Sequence, residues 1–134
     1  MKSIRAGKVV MLLVVFVILI SSFGCSKKDN FNIVGTWAGV INIGATPINL
    51  TFIFTGSESS GSVQNTSGQN IGSYAVYEKN VDWGFQFYGD SNFGYLIYSF
   101  TGTANSDNNM SGTAIYYASN YPTKLLYGTW NLSR

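Results

Sequence analysis

Apolar residues in this chain recur at every second position in short runs, and that period decides what it can fold into. Trp37, Gly39, Ile41 and Ile43 form one such stripe, and Leu50, Phe52 and Phe54 another. Val81, Trp83, Phe85 and Phe87 form a third, and Leu126, Gly128, Trp130 and Leu132 a last. Side chains two apart share one face of a strand, whereas a helix needs a spacing near 3.6. Eight strands are expected: Ile33–Ile43, Ile48–Thr55, Gly61–Asn65, Gly72–Glu78, Val81–Tyr88, Phe93–Thr103, Met110–Tyr117 and Lys124–Leu132. The third is short and polar. Clusters such as Gly44-Ala45-Thr46-Pro47, Lys79-Asn80, Gly89-Asp90-Ser91-Asn92 and Asn105-Ser106-Asp107-Asn108-Asn109 supply the turns. No stretch supports a helix beyond a turn or two after residue 30.

The first 30 residues are of another kind. Lys2, Arg5 and Lys8 precede the unbroken apolar run Val9–Ile20. As a helix that run spans roughly 18 Å, well short of the ~30 Å hydrocarbon core, and it suits the apolar core of a signal peptide. Ser22-Phe23-Gly24-Cys25 follows, and it resembles a bacterial lipobox. That resemblance implies cleavage before Cys25 and acylation of its thiol and new amine, with palmitate-type chains as a lasting membrane anchor. The other readings are an ordinary signal-peptidase cut or an uncleaved anchor. Ser26, rather than Asp, follows the cysteine, which resembles the sorting pattern for an outer-membrane address. The expected layout is a signal peptide over 1–24, a lipidated cysteine and polar tether over 25–32, and one β domain over 33–134.

The formal charge of +2 reverses once that leader is set aside. From Cys25 onward Lys27, Lys28, Lys79, Lys124 and Arg134 face Glu58, Glu78, Asp29, Asp82, Asp90 and Asp107, a net −1 in side chains. Without a basic stripe, nucleic-acid binding loses its electrostatic basis. Cys25 is the sole cysteine, so no internal disulfide can form and the fold must rest on packing and strand pairing.

Short consecutive strands with short turns imply an antiparallel up-and-down meander, and eight of them can close into a barrel without exposed edges. A β-sandwich is the competing architecture. Gly-Thr recurs inside strands at Gly35-Thr36, Gly102-Thr103, Gly112-Thr113 and Gly128-Thr129, as tightly coiled sheets require. Gly35-Thr36-Trp37 on the first strand and Trp130-Asn131-Leu132-Ser133-Arg134 at the end resemble the lipocalin and avidin barrels, and small bacterial lipoproteins built like them. The resemblance implies that Arg134 lies across Trp37 and closes one barrel end. It does not extend to avidin-like biotin binding, because Gly39 stands where those proteins place Asn.

Chemistry is sparsely supplied. The chain has no histidine, and its one thiol is the lipidation candidate, which removes the usual triads, Cys–His pairs and most zinc sites. Glu78 and Asp82 flank one tight hairpin and read as solvated turn residues rather than an acid/base pair or calcium site. We therefore expect no enzyme, no cofactor and no metal. Aromatic residues are 16% of the chain. They can fill a narrow barrel, or they can line a cup for one small apolar or aromatic ligand. Trp37, Trp83, Phe85, Phe87 and Trp130 are the candidate cavity residues, with tyrosine hydroxyls at its mouth. The alternative is a filled core on an interaction lipoprotein that docks through the two-sided apolar strand Phe93–Phe100.

Overall fold

In the computed structural model, whose described residues are 31–44 and 46–134, the alternating runs become eight strands and no helix. They are β1 (Gly35–Ile43), β2 (Pro47–Gly56), β3 (Ser60–Gln64), β4 (Asn70–Tyr77), β5 (Asn80–Asp90), β6 (Gly94–Ser106), β7 (Asn109–Ala118) and β8 (Leu126–Ser133). Each pairs antiparallel with its neighbours, and β8 returns to β1 from Ala38↔Ser133 to Ile43↔Gly128, closing a barrel. That closure excludes the sandwich. The leader, Cys25 and the tether through Asn30 lie outside the described residues.

Two strands run further than the turn residues suggest. β5 takes in Gly89 and Asp90, and β6 takes in Asn105 and Ser106. In both places the register shifts, so a bulge absorbs the extra residue and the ladder continues past the polar cluster. β1, in contrast, begins at Gly35, because residues 31–34 turn beneath the barrel instead of joining it.

That underpass seals one end, the base. Phe31 and Ile33 are buried and Phe31 packs edge-on against Trp37, 5.6 Å between centroids. The Phe31 N–H donates to the Glu78 carbonyl at 2.9 Å, and the Trp37 Nε1–H to the Ile33 carbonyl at 2.7 Å. Arg134 lies over the outer face of Trp37, its guanidinium carbon 4.6 Å from the ring centroid, and Nη1 donates to the Val34 carbonyl at 3.0 Å. Such a cation–π contact contributes about 1 kcal/mol.

Glycine explains how an indole as large as Trp130 enters the lumen. Gly102 and Gly112 oppose each other on β6 and β7, and a Cβ on Gly102 would come within 2.7 Å of the Trp130 ring. With both side chains absent the ring settles against the strands, and Nε1–H donates to the carbonyls of Thr101 (3.2 Å) and Thr113 (3.0 Å). The threonines beside these glycines turn outward, where the Thr101 and Thr113 hydroxyls meet at 3.1 Å. The Gly-Thr repeat thus puts space inside and a β-former outside.

Candidate functional site

Above the base, inward residues of β2, β5, β6 and β8 stack as a column of rings. Trp83 lies parallel to Phe100, 4.0 Å between centroids, and edge-on to Trp130 at 5.6 Å and Phe54 at 5.4 Å. One layer up, Phe85 stacks on Tyr98 at 4.7 Å, and Tyr98 meets Tyr116 at the same separation. Phe87 tops the column, 6.5 Å from Phe85. The lower and middle lumen is therefore filled, and only the upper end is open: Phe87 faces inward yet is 46% exposed, and Leu126 51%.

The wall also has a gap at that end. β2 pairs with β3 only from Ile53 to Gly56, although its pairing with β1 reaches back to Pro47. β5 pairs with β4 only as far as Phe85, although its pairing with β6 continues to Asp90. The short β3 and the loop at 65–69 leave a notch between the first half of β2 and the last half of β5. A cavity of about 720 Å³ occupies it. Leu50, Phe52, Ile71, Phe85 and Phe87 form its apolar wall, and Asn49, Gln69, Gln86 and Tyr95 its rim.

No Asp, Glu, Lys or Arg lines this notch. The two charged residues at this end are engaged locally: Asp90 Oδ1 accepts from the Asn92 and Phe93 N–H groups at 2.9 Å, and Lys124 lies over the Tyr121 ring at 5.2 Å. Asn65 shapes the loop that borders the notch, its Oδ1 accepting from the Ser67 and Gln69 N–H groups. Burial pushes the Tyr98 hydroxyl above its ordinary pKa, and the neighbouring Tyr116 adds to the rise. The notch thus has an apolar, aromatic wall, an amide-bearing rim and no charged side chain.

The candidate cavity residues separate along this axis. Phe85 and Phe87 line the notch. Trp83 lies directly beneath it, its ring 4.9 Å from that of Phe52. Trp37 and Trp130 are buried in the packed lower half, at 0% and 2% exposure, and do not reach it. Leu50, Phe52 and Ile71 join the site although they were not singled out for it. The signal for them is the brevity of the third strand, which leaves the β3 side of β2 unpaired just where Leu50 and Phe52 face inward. Of the mouth tyrosines, Tyr98 and Tyr116 pair with inward positions, while Tyr95 and Tyr117 lie on the outer face.

Glu78 occupies the β4–β5 turn in the left-handed conformation, φ 57°, and Asp82 is exposed on β5. Among the described residues no three His, Cys, Asp or Glu side chains gather where they could hold a metal ion. Two further depressions lie elsewhere on the barrel. One of about 470 Å³ lies at the base beside Lys79, Asp107 and Arg134, and another of about 700 Å³ lies over Gly84, lined by β4, β5 and β6 and by Trp83 and Phe85 among others.

No family model and no curated protein matches the sequence. Among solved structures, EF1p2_mFAP2b bound to DFHBI is similar, with a TM-score of 0.57 and 17% identity over 76% of this chain and 93% of that one. The likeness is one of fold. Like that structure, this chain is an antiparallel β-barrel, closed here by eight strands.

Proposed function

We propose that this chain is an exported lipoprotein, acylated at Cys25 and held at the outer membrane of a bacterial envelope, whose barrel binds one small neutral aromatic or apolar molecule without transforming it. The observation that carries the binding is the uncharged notch of about 720 Å³ walled by Phe52, Phe85 and Phe87, within the size of small-molecule sites. Support also comes from a barrel of similar fold that holds DFHBI. The non-enzymatic reading rests on the lack of histidine in the chain and of charged groups at the notch, which leave no general base there.

The anchor and the cup fit one geometry. Phe31 enters at the base, and the six peptide units from Cys25 to Phe31 reach at most about 20 Å. Acyl chains on Cys25 would therefore keep the base near the lipid headgroups and leave the notch facing away. An interaction role is the second reading, favoured by the outward run Tyr88, Tyr95, Ile97, Tyr117 and Tyr127, of which Tyr88 is 61% and Tyr127 69% exposed.

Mass spectrometry of the protein purified from its own host tests anchor and cup together. The expected species lacks 24 residues, carries acyl mass on Cys25 and releases a small molecule on denaturation. Cys25→Ser should abolish palmitate labelling and membrane retention. An intact N-terminus with unchanged retention rejects the lipoprotein. Acylated protein that carries no ligand, and binds no naphthalene-sized probe when purified, rejects the cup in favour of the docking face.

A further inference from the structure

The barrel holds three tryptophans, and their indole N–H groups have different fates. Trp37 and Trp130 each donate to backbone carbonyls. Trp83 Nε1 is the single buried side-chain nitrogen or oxygen, among the described residues, that has no hydrogen-bond partner. Trp83 is only 4% exposed, and its donor meets no protein acceptor. A buried donor left unmade is costly, and a phenylalanine at this place would stack on Phe100 without that cost.

The location of the orphan donor matters as much as its existence. Phe52 touches the Trp83 ring at 4.9 Å and Phe85 at 6.2 Å, and both of these rings also form the wall of the notch. The Trp83 ring is thus one residue removed from the cavity. Phe85 belongs to a stack of nearly parallel rings with Phe87 and Tyr98. With no cation or anion at the notch, the partner of this N–H would be a neutral acceptor.

We propose that the Trp83 indole N–H is the orienting donor of the ligand site and that the ligand is a flat aromatic molecule bearing a neutral acceptor such as a ketone or amide carbonyl. The inference rests on the binding reading above and adds to it a specificity determinant. The aromatic body lies in the notch among Phe52, Phe85 and Phe87, and a shift of the Phe85 ring lets the carbonyl reach Nε1. Because the donor is already unpaired in the free barrel, a ligand that brings the carbonyl gains a hydrogen bond that one without it does not.

Two probes of nearly equal shape test it on the full chain in detergent: 2-acetylnaphthalene, which carries the acceptor, and 2-ethylnaphthalene, which does not. With ¹⁵N-labelled indoles, the ketone should shift the Trp83 N–H resonance downfield and leave those of Trp37 and Trp130 in place. The ketone should also bind several-fold to tenfold tighter than the hydrocarbon, relative to the same ratio in Trp83→Phe, so that micelle partitioning cancels. If both probes bind and the Trp83 resonance or the ratio does not respond, the donor role is overturned while the cup stands. If neither probe binds the wild-type chain, both fall. Should Trp83→Phe fail to fold, the wild-type indole resonances decide alone.

Discussion

The two ends of this barrel are built to different standards. At the base, large buried groups are also chemically satisfied: the Trp37 indole reaches Ile33, the Tyr74 hydroxyl donates to the Ser57 carbonyl at 2.6 Å, and Arg134 seals Trp37 from outside. At the mouth, inward-facing Phe87 and Leu126 stay half in water, two strands lose their partners, and the donor beneath them has nothing to bond. A chain with no disulfide must draw its stability from somewhere, and the base and middle layers supply it. The mouth is thereby released from packing duty, and a shape that would be a defect in the core can serve as a site.

The contrast breaks first at the base. Trp37→Ala removes a ring with no exposed surface, leaves a cavity under Arg134 and deletes the bond to Ile33. A loss of about 3–5 kcal/mol is expected in urea unfolding, as for other buried aromatic truncations. A loss below about 1 kcal/mol would mean that the base is not the stability centre.

The mouth should answer the opposite way. Phe87→Ala removes a ring already half exposed, so the stability cost should be about 1 kcal/mol or less. Binding of 2-acetylnaphthalene should nevertheless weaken, because Phe87 forms part of the notch wall. Unfolding and probe titration on the same two proteins separate the outcomes. A large stability loss with unchanged binding would make Phe87 filler and return the mouth to the core.

Much of this architecture could be read from residue spacing, and the reason is physical. Alternation at Val81–Phe87 or Trp130–Leu132 follows from strand geometry, which each segment expresses by itself. The stripes therefore announced strands, inward faces and a meander that short turns could close. The site was less legible, because it depends on where partners stop. Leu50 looks the same in sequence whether or not β3 runs alongside it, and only the register shows that β3 pairs no further than Ile53. The distinction among Trp37, Trp83 and Trp130 was likewise hidden. All three are tryptophans in apolar stripes, and what separates them is the position of a carbonyl on another strand.

The smallest difference between the two ends should appear only at high pH. Burial raises the pKa of Tyr98 at the mouth, with Tyr116 adding to it, and burial alone raises that of Tyr74 near the base. A hydroxyl whose folded pKa lies above its unfolded value favours the folded state fully below the unfolded pKa, near 10. That contribution is lost as pH rises through the raised value, so the barrel should weaken above about pH 10 as unfolded tyrosines ionise first. Tyr98→Phe removes one such group while keeping the ring that stacks on Phe85. The variant should match wild type at neutral pH and unfold at a somewhat higher pH in an alkaline titration followed by circular dichroism. Tyr74→Phe gains the same relief but forfeits its bond to Ser57, so it should start out less stable at every pH. If Tyr98→Phe instead unfolds at a lower pH than wild type, its hydroxyl contributes to the fold, and the mouth is not the loosely committed end described here.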